Sequence, residues 1–133
     1  MIQISTDTSK LDVNYIHQFL NSSYWAKGRT LKEVESTIEN SLCFAAYLND
    51  KQIGFARIVT DKAIFSYLMD FFIDEKHQGK KYGQYFFSEI YKHSDLIHVK
   101  KHYLHTKDAQ NFYKKFGFEI YKTPNRCMLK IVR

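Results

Sequence analysis

The run Ile64-Phe-Ser-Tyr-Leu-Met-Asp-Phe-Phe-Ile73 is ten residues with a single charge and no glycine or proline. Aromatic and apolar residues at that density predict a β-strand. A strand this apolar reads as central in a sheet, with both faces covered. It runs into a turn at 74–80 and then into a helical pattern from about Lys81 to His93. Tyr82, Tyr85, Phe86, Ile90 and Tyr91 keep helical spacing there. A buried strand followed at once by a helix restricts the chain to an α/β arrangement.

The remaining elements follow from local pattern. Residues 2–5 form a short opening strand. Ser9 precedes a helix whose apolar face is Leu11, Tyr15, Ile16, Phe19 and Leu20. Residues 21–29 read as a loop. Thr30 and Glu33 form a capping box that starts a second helix through about Asn40. Leu42–Leu48 and Gln52–Thr60 make a hairpin around Asn49-Asp50. Val99–Thr106 is a further strand. Thr106 or Asp108 caps a short helix through Phe116, and Gly117 ends it. Phe118–Tyr121 and Cys127–Val132 are expected as a closing pair of strands. The order β-α-α-β-β-β-α-β-α-β-β describes a mixed α/β sheet, antiparallel early and with a crossover helix in its second half.

The chain of 133 residues is long enough for one core, and no linker-like stretch divides it. A single domain over 1–133 is expected. The net charge of +6 favours an anionic partner. The lysines fall in pairs, Lys80-Lys81, Lys100-Lys101 and Lys114-Lys115, which suits a local phosphate site better than a basic tail. Cys43 and Cys127 have no metal spacing and read as reduced, mostly buried thiols. No segment has the basic-then-apolar pattern of a signal peptide or the roughly 20 apolar residues of a membrane span. The expectation is a cytoplasmic protein without a membrane partner. His93, His98, His102 and His105 fit no metal motif, so no metal is expected.

The segment Gln78-Gly79-Lys80-Lys81-Tyr82-Gly83 sits where the long strand meets its helix. A helix N-terminus leaves backbone N–H groups unpaired and carries partial positive charge. Glycines let an anion approach the backbone, and lysines add charge. The segment is thus a candidate pyrophosphate cradle. It is neither a Walker A loop nor a Rossmann fingerprint.

This turn resembles the cofactor-binding motif of the GNAT family of N-acetyltransferases, a Gln/Arg-x-x-Gly-x-Gly/Ala pattern after a central strand. Gln78, Gly79, Lys80, Tyr82 and Gly83 match it, and Lys81 stands where the family usually has its first glycine. A helical or ordinary turn conformation at Lys81 would tolerate the side chain. The later segment Asp108-Ala109-Gln110-Asn111-Phe112-Tyr113-Lys114-Lys115-Phe116-Gly117-Phe118 resembles the family's short helix ending in Tyr-x-x-x-Gly-Phe. The resemblance covers nearly the whole chain. It implies acetyl-CoA as co-substrate, with its pyrophosphate on the 78–83 turn. Phe71, Phe72 and Ile73 would hold the pantetheine arm, with a Phe71 or Phe72 N–H on the thioester oxygen. Asn111 would also touch that arm, and Tyr113 would protonate the departing thiolate. A tyrosine with a reference pKa near 10 suits a thiol near 8.5.

The acceptor half is thinner. Asp70 interrupts the apolar strand and is a candidate base for the attacking amine; Asp61 is a second. Either could instead pair with a cation such as Arg57. Trp25 and Arg29, in the loop between the first two helices, are candidates for holding the acceptor by stacking and by charge. An amine acceptor and a second copy of the chain are candidate partners. Two other readings stand beside the enzyme: a CoA-binding sensor without turnover, and a basic RNA-binding domain. No RNP-like aromatic strand or long basic stripe supports the last, so no nucleic-acid partner is expected.

Overall fold

The computed structural model describes residues 1–132; Arg133 lies outside the described residues. The elements are β1 (Gln3–Ser5), α1 (Val13–Ser22), α2 (Leu31–Glu39), β2 (Leu42–Leu48), β3 (Lys51–Thr60), β4 (Phe65–Ile73), α3 (Tyr82–Ile90), β5 (Lys101–Tyr103) and α4 (Gln110–Lys114). The strands form one sheet in the order β1-β2-β3-β4-β5. Every pairing is antiparallel except β4 with β5, which are parallel and joined through α3. The class is the expected mixed α/β.

Caps set the first helices. Asp12 accepts from the Tyr15 N–H and starts α1, three residues later than Ser9 would have placed its start. A separate turn of 3-10 helix at Thr8–Lys10, capped by Asp7, precedes it. The Thr30–Glu33 capping box forms at the head of α2 as expected.

Apolar side chains from alternate positions leave the sheet on both faces. On one face, Phe44, Ile53, Ile58, Leu68 and Ile73 pack under Phe86, Phe87 and Ile90 of α3. On the other, Cys43, Phe55 and Phe72 pack under Ile16 and Leu20 of α1 and Val34 and Ile38 of α2. The result is three layers. The strand buried on both faces is β3, from Gln52 to Ile58. β4 alternates buried and partly exposed residues instead. Its apolar character thus exceeds its burial, and the surplus lines a cleft.

The closing pair of strands does not form in the single chain. Residues 118–121 and 127–132 enter no ladder among the described residues. A strand exists only through its partners, and pattern does not name them. Cys127 is exposed rather than buried, since its segment stands away from the core. Among the described residues no helix is long and apolar enough to cross a membrane.

Candidate active site

The cleft arises where β4 and β5 part. They pair only over Phe65–Tyr67 and Lys101–Tyr103. Beyond that β4 continues to Ile73 with no strand on its β5 side among the described residues. A cleft of about 740 Å³ opens between Leu68–Ile73 and Leu104–Thr106. Small-molecule sites span about 300–1,000 Å³. Gln78, Gly79, Lys81 and Gly83 line one end, Phe112 and Tyr113 another, and Tyr24, Trp25 and Arg29 a third.

A bulge shapes the β4 wall. Phe55 faces Phe72 and Arg57 faces Met69, so Asp70 and Phe71 together stand opposite Ala56. Two residues against one is a β-bulge, which bends the strand and leaves a backbone group unpaired. Asp70 takes the left-handed conformation at φ 58. The bulge also reverses side-chain parity. Leu68 and Phe72 are four apart, yet they pack in opposite clusters.

Asp70 is buried, and its carboxylate is heavily engaged. Oδ2 accepts from Arg57 Nε at 2.6 Å and from Arg29 Nη1 at 2.8 Å. Oδ1 accepts from Trp25 Nε1 at 3.2 Å. The Arg57 side chain is 7% exposed and that of Arg29 is 24% exposed. Arg57 is thus a structural counter-ion, while Arg29 offers part of its guanidinium to the cleft. Asp61 lies elsewhere: its Oδ1 accepts the N–H groups of Ala63, Ile64 and Phe65 in the β3–β4 turn. Those bonds hold its carboxyl below the usual range.

The turn after β4 is tied at both ends. Gln78 Nε2 donates to the Ile73 carbonyl at 2.8 Å. Tyr15 O–H donates to Asp74 Oδ2 at 2.9 Å, and His77 Nδ1 meets Asp74 Oδ1 at 2.6 Å. Gly79 has φ +80, with no atom within 4 Å of where a Cβ would stand. Lys81 departs from the expected ordinary turn: it is left-handed, at φ 64 and ψ 11. A lysine there costs roughly 1–2 kcal/mol, so the backbone shape of the family's glycine is kept with a side chain added. Lys81 gives α3 no side-chain cap. The first N–H groups of α3 therefore remain available to an anion.

Tyr113 projects from α4 into an aromatic cluster. Its ring centroid is 5.3 Å from Phe87 and 6.4 Å from Phe71. Burial, with smaller contributions from Tyr24 and Asp108, pushes its hydroxyl up to about 12. Of the residues expected to bind or react, Lys80, Tyr82 and Asn111 do not line the cleft. Lys80 and Asn111 are exposed, and Tyr82 packs against the α3-side core. The sequence reading passed over Tyr67 and His105, which line the cleft and are hydrogen-bonded through Tyr67 O–H and His105 Nδ1. Tyr67 sits within the apolar run, and His105 stands out in the sequence only by its spacing to other histidines. Among the described residues no three His, Cys, Asp or Glu side chains gather as a metal site.

Residues 39–120 match the family described as the acetyltransferase (GNAT) domain. The chain belongs to the GNAT acetyltransferase family. A solved structure from Xanthomonas campestris pv. campestris, assigned to the GNAT family, is 34% identical. It covers 99% of this chain and 94% of its own, with a TM-score of 0.94. A protein of Gibberella zeae named as a candidate acetyltransferase is 26% identical, over 90% of this chain and 80% of its own. A Clostridium acetobutylicum structure solved with acetyl-CoA shares the fold at 14% identity, covering 99% of this chain and 96% of its own, with a TM-score of 0.71. The GNAT chain described here is accordingly an acetyltransferase.

Proposed function

We propose that this GNAT protein moves an acetyl group from acetyl-CoA to a primary amine by direct attack, with Tyr113 as general acid. The observation that carries the reading is the cleft itself. One open strand edge, one uncapped helix N-terminus and one half-buried tyrosine line a single space.

Acetyl-CoA supplies a thioester whose carbonyl is open to an amine. The protein's share is to bind, orient and manage charge. The open edge of β4 at Phe71, Phe72 and Ile73 offers main-chain groups to an extended, amide-bearing arm in the manner of an added strand. The bulge leaves an N–H at Asp70–Phe71 free of the ladder, suited to a carbonyl oxygen. Gly79, Lys81 and Gly83 form a cradle for a pyrophosphate, and Lys80 adds charge from outside the cleft. Gln78 acts by tying that cradle to β4. Tyr82 seats α3 in the core, and Asn111 would meet only the outer part of the arm.

Tyr113 is protonated at neutral pH. Its hydroxyl near 12 lies well above a free thiol near 8.5. Burial raises thiols and phenols alike, so a thiolate leaving into the same cleft becomes more basic and the mismatch narrows. The role supported best is hydrogen-bond donation to the thiolate as it forms, completed by proton transfer. Asp70 was expected to be the base. Three donors on its carboxylate favour a positioning role, holding Arg29 and Trp25 against the acceptor, with the ammonium proton leaving to water. The part-exposed Arg29 suits an amine that also carries a carboxylate. A single domain over 1–133 acting in the cytoplasm completes this reading; one sheet running from residue 3 to residue 103 supports the domain part.

The test is thiol release from acetyl-CoA across a panel of amines, beside thermal melts with acetyl-CoA. Release should saturate with at least one carboxylate-bearing amine, and acetyl-CoA should raise the melting temperature. A thermal shift with no release for any amine would favour the sensor reading. Neither effect would remove both.

A further inference from the structure

Tyr67 and His105 bridge the throat of the cleft, where β4 and β5 part. Tyr67 holds the last paired position of β4, opposite Tyr103, and His105 is two residues beyond Tyr103. The Tyr67 hydroxyl and His105 Nδ1 are hydrogen-bonded, and the two rings stack with centroids 5.4 Å apart. Tyr67 is half-buried and His105 is exposed, and both line the cleft. A phenol inside the cleft is thus coupled to an imidazole in contact with water.

The face of the sheet decides which half of the reaction this pair serves. Met69 lies opposite Arg57, and Arg57 lies opposite Cys43, which packs under α1 and α2. Tyr67 is two residues before Met69, so its side chain leaves on that same face. Trp25 and Arg29, in the loop between α1 and α2, reach Asp70 from this side. Tyr113 packs with the α3-side core. Asp70 has donors on both oxygens, two of them cationic. Asp108 lies by Tyr113, whose hydroxyl it helps to raise. The imidazole is the remaining base on the acceptor side of the cleft.

We propose that Tyr67 and His105 form a proton relay that deprotonates the attacking ammonium, an inference that rests on the amine-acetylation reading above. The Tyr67 oxygen takes a proton from the ammonium nitrogen as the Tyr67 hydroxyl proton passes to His105 Nδ1. His105, which carries its other hydrogen on Nε2, becomes an imidazolium and releases one proton to water. The freed lone pair forms the carbon–nitrogen bond, and the carbon–sulfur bond breaks with its electron pair on sulfur. The nitrogen's second proton balances the one that Tyr113 gives to the thiolate. Burial, with a smaller contribution from Cys127, raises the Tyr67 hydroxyl, so at neutral pH it holds the proton it passes on. Tyr67 is the catalytic residue, and His105 acts through it.

The other titratable and charged groups on the cleft are Tyr24, Arg29, Asp70, Lys81, Asp108 and Tyr113. On its outer side His105 borders a second cavity with Lys101, His102, Tyr103, Lys114, Glu119 and Tyr121. Among these only His102 is a second imidazole. It is bonded to the buried Ser66 and its pKa is lowered by burial, which keeps it out of the relay.

Nitrogen NMR of the full chain should show His105 protonated at Nε2 and bare at Nδ1, with the Nδ1 signal moving in Tyr67→Phe. Thiol release from acetyl-CoA is then followed from pH 6 to 9 with the amine panel, glycine, β-alanine and γ-aminobutyrate among it. Tyr67→Phe and His105→Ala should each lower kcat/KM at least about 100-fold at pH 7, the scale of general base catalysis. In both variants kcat/KM should climb tenfold per pH unit toward the pKa of the free amine, because only neutral amine then reacts. The wild type should level off well below that pKa, and added imidazole should restore part of the His105→Ala rate. A proton on Nδ1, an equal loss at every pH, or no loss in either variant would overturn the relay and leave acetyl transfer standing. No thiol release with any amine would remove the relay and the acetylation reading together.

Discussion

Asp70 sits where two arginines and an indole meet, in a backbone conformation that aspartate tolerates better than most residues. Removing it leaves Arg57 buried without a counter-ion. Breaking a buried pair in this way costs about 3–5 kcal/mol. Asp70→Ala should therefore lower the denaturant midpoint by that equivalent. Asp70→Asn keeps two acceptor lone pairs and the left-handed preference, so chemical denaturation should show a smaller loss. Equal losses would mean that charge contributes little. Tyr113→Phe keeps the ring among Phe71, Phe87 and Phe118 and removes only the hydroxyl. We expect kcat to fall at least about 100-fold, the scale of general acid catalysis, with little change in thermal stability. Because burial pushes the hydroxyl up to about 12, wild-type kcat should show no alkaline loss from Tyr113 up to pH 10. A fall between pH 8 and 10 that Tyr113→Phe abolishes would contradict this.

At the scale of elements, Gly54 lies close against the end of β4. A Cβ there would stand 2.7 Å from the Phe72 carbonyl oxygen and 2.7 Å from Ile73 Cδ1. Backbone cannot give way as a side chain can. Gly54→Ala should destabilise by roughly 1–3 kcal/mol and weaken acetyl-CoA binding, because it pushes directly on the cleft wall. The turn into α3 predicts the opposite sign. Lys81→Gly relieves a left-handed side chain and should raise the melting temperature, whereas Lys81→Ala should not. These two positions mark the limit of sequence reading. The strand and the turn into α3 were legible because apolar runs, caps and glycine turns are local. The left-handed Lys81 was not, since a residue type does not state its φ. The bulge showed only as an odd aspartate in an apolar run. The Thr30 capping box was legible to the residue. The closing strands were legible as strands but not as unpaired ones, because β-formers such as Ile131 and Val132 announce a strand without naming its neighbour.

Across the described residues, burial raises the hydroxyls of five tyrosines, Tyr15, Tyr47, Tyr67, Tyr91 and Tyr113. Burial, joined by the bond to Asp74, raises Tyr15 well above the ordinary range. Burial raises Tyr91 similarly and takes Tyr113 to about 12. In each case the folded value exceeds the unfolded value of about 10, so the folded form binds more protons above that pH. Their contribution is full below pH 10 and is lost as pH rises toward 12. Thermal melts should hold steady in this respect up to pH 10 and fall steeply beyond it. The Tyr91 hydroxyl has no hydrogen-bond partner among the described residues. Tyr91→Phe should thus cost almost nothing at pH 7 and make the alkaline fall shallower; an unchanged slope would assign it to other groups.

The parting of β4 from β5 has a consequence for how such a chain can change over time. A donor site assembled from an exposed strand edge, a helix terminus and a glycine turn presents peptide groups, and every residue type carries the same peptide group. Side chains around it are then free to drift so long as the strands diverge at the same place. The fold itself persists at 14% identity with a TM-score of 0.71. The acceptor end has no such freedom. On the proposed reading it would depend on particular side chains, among them Arg29 and Trp25, and is where lineages sharing this scaffold would come to differ in what they modify.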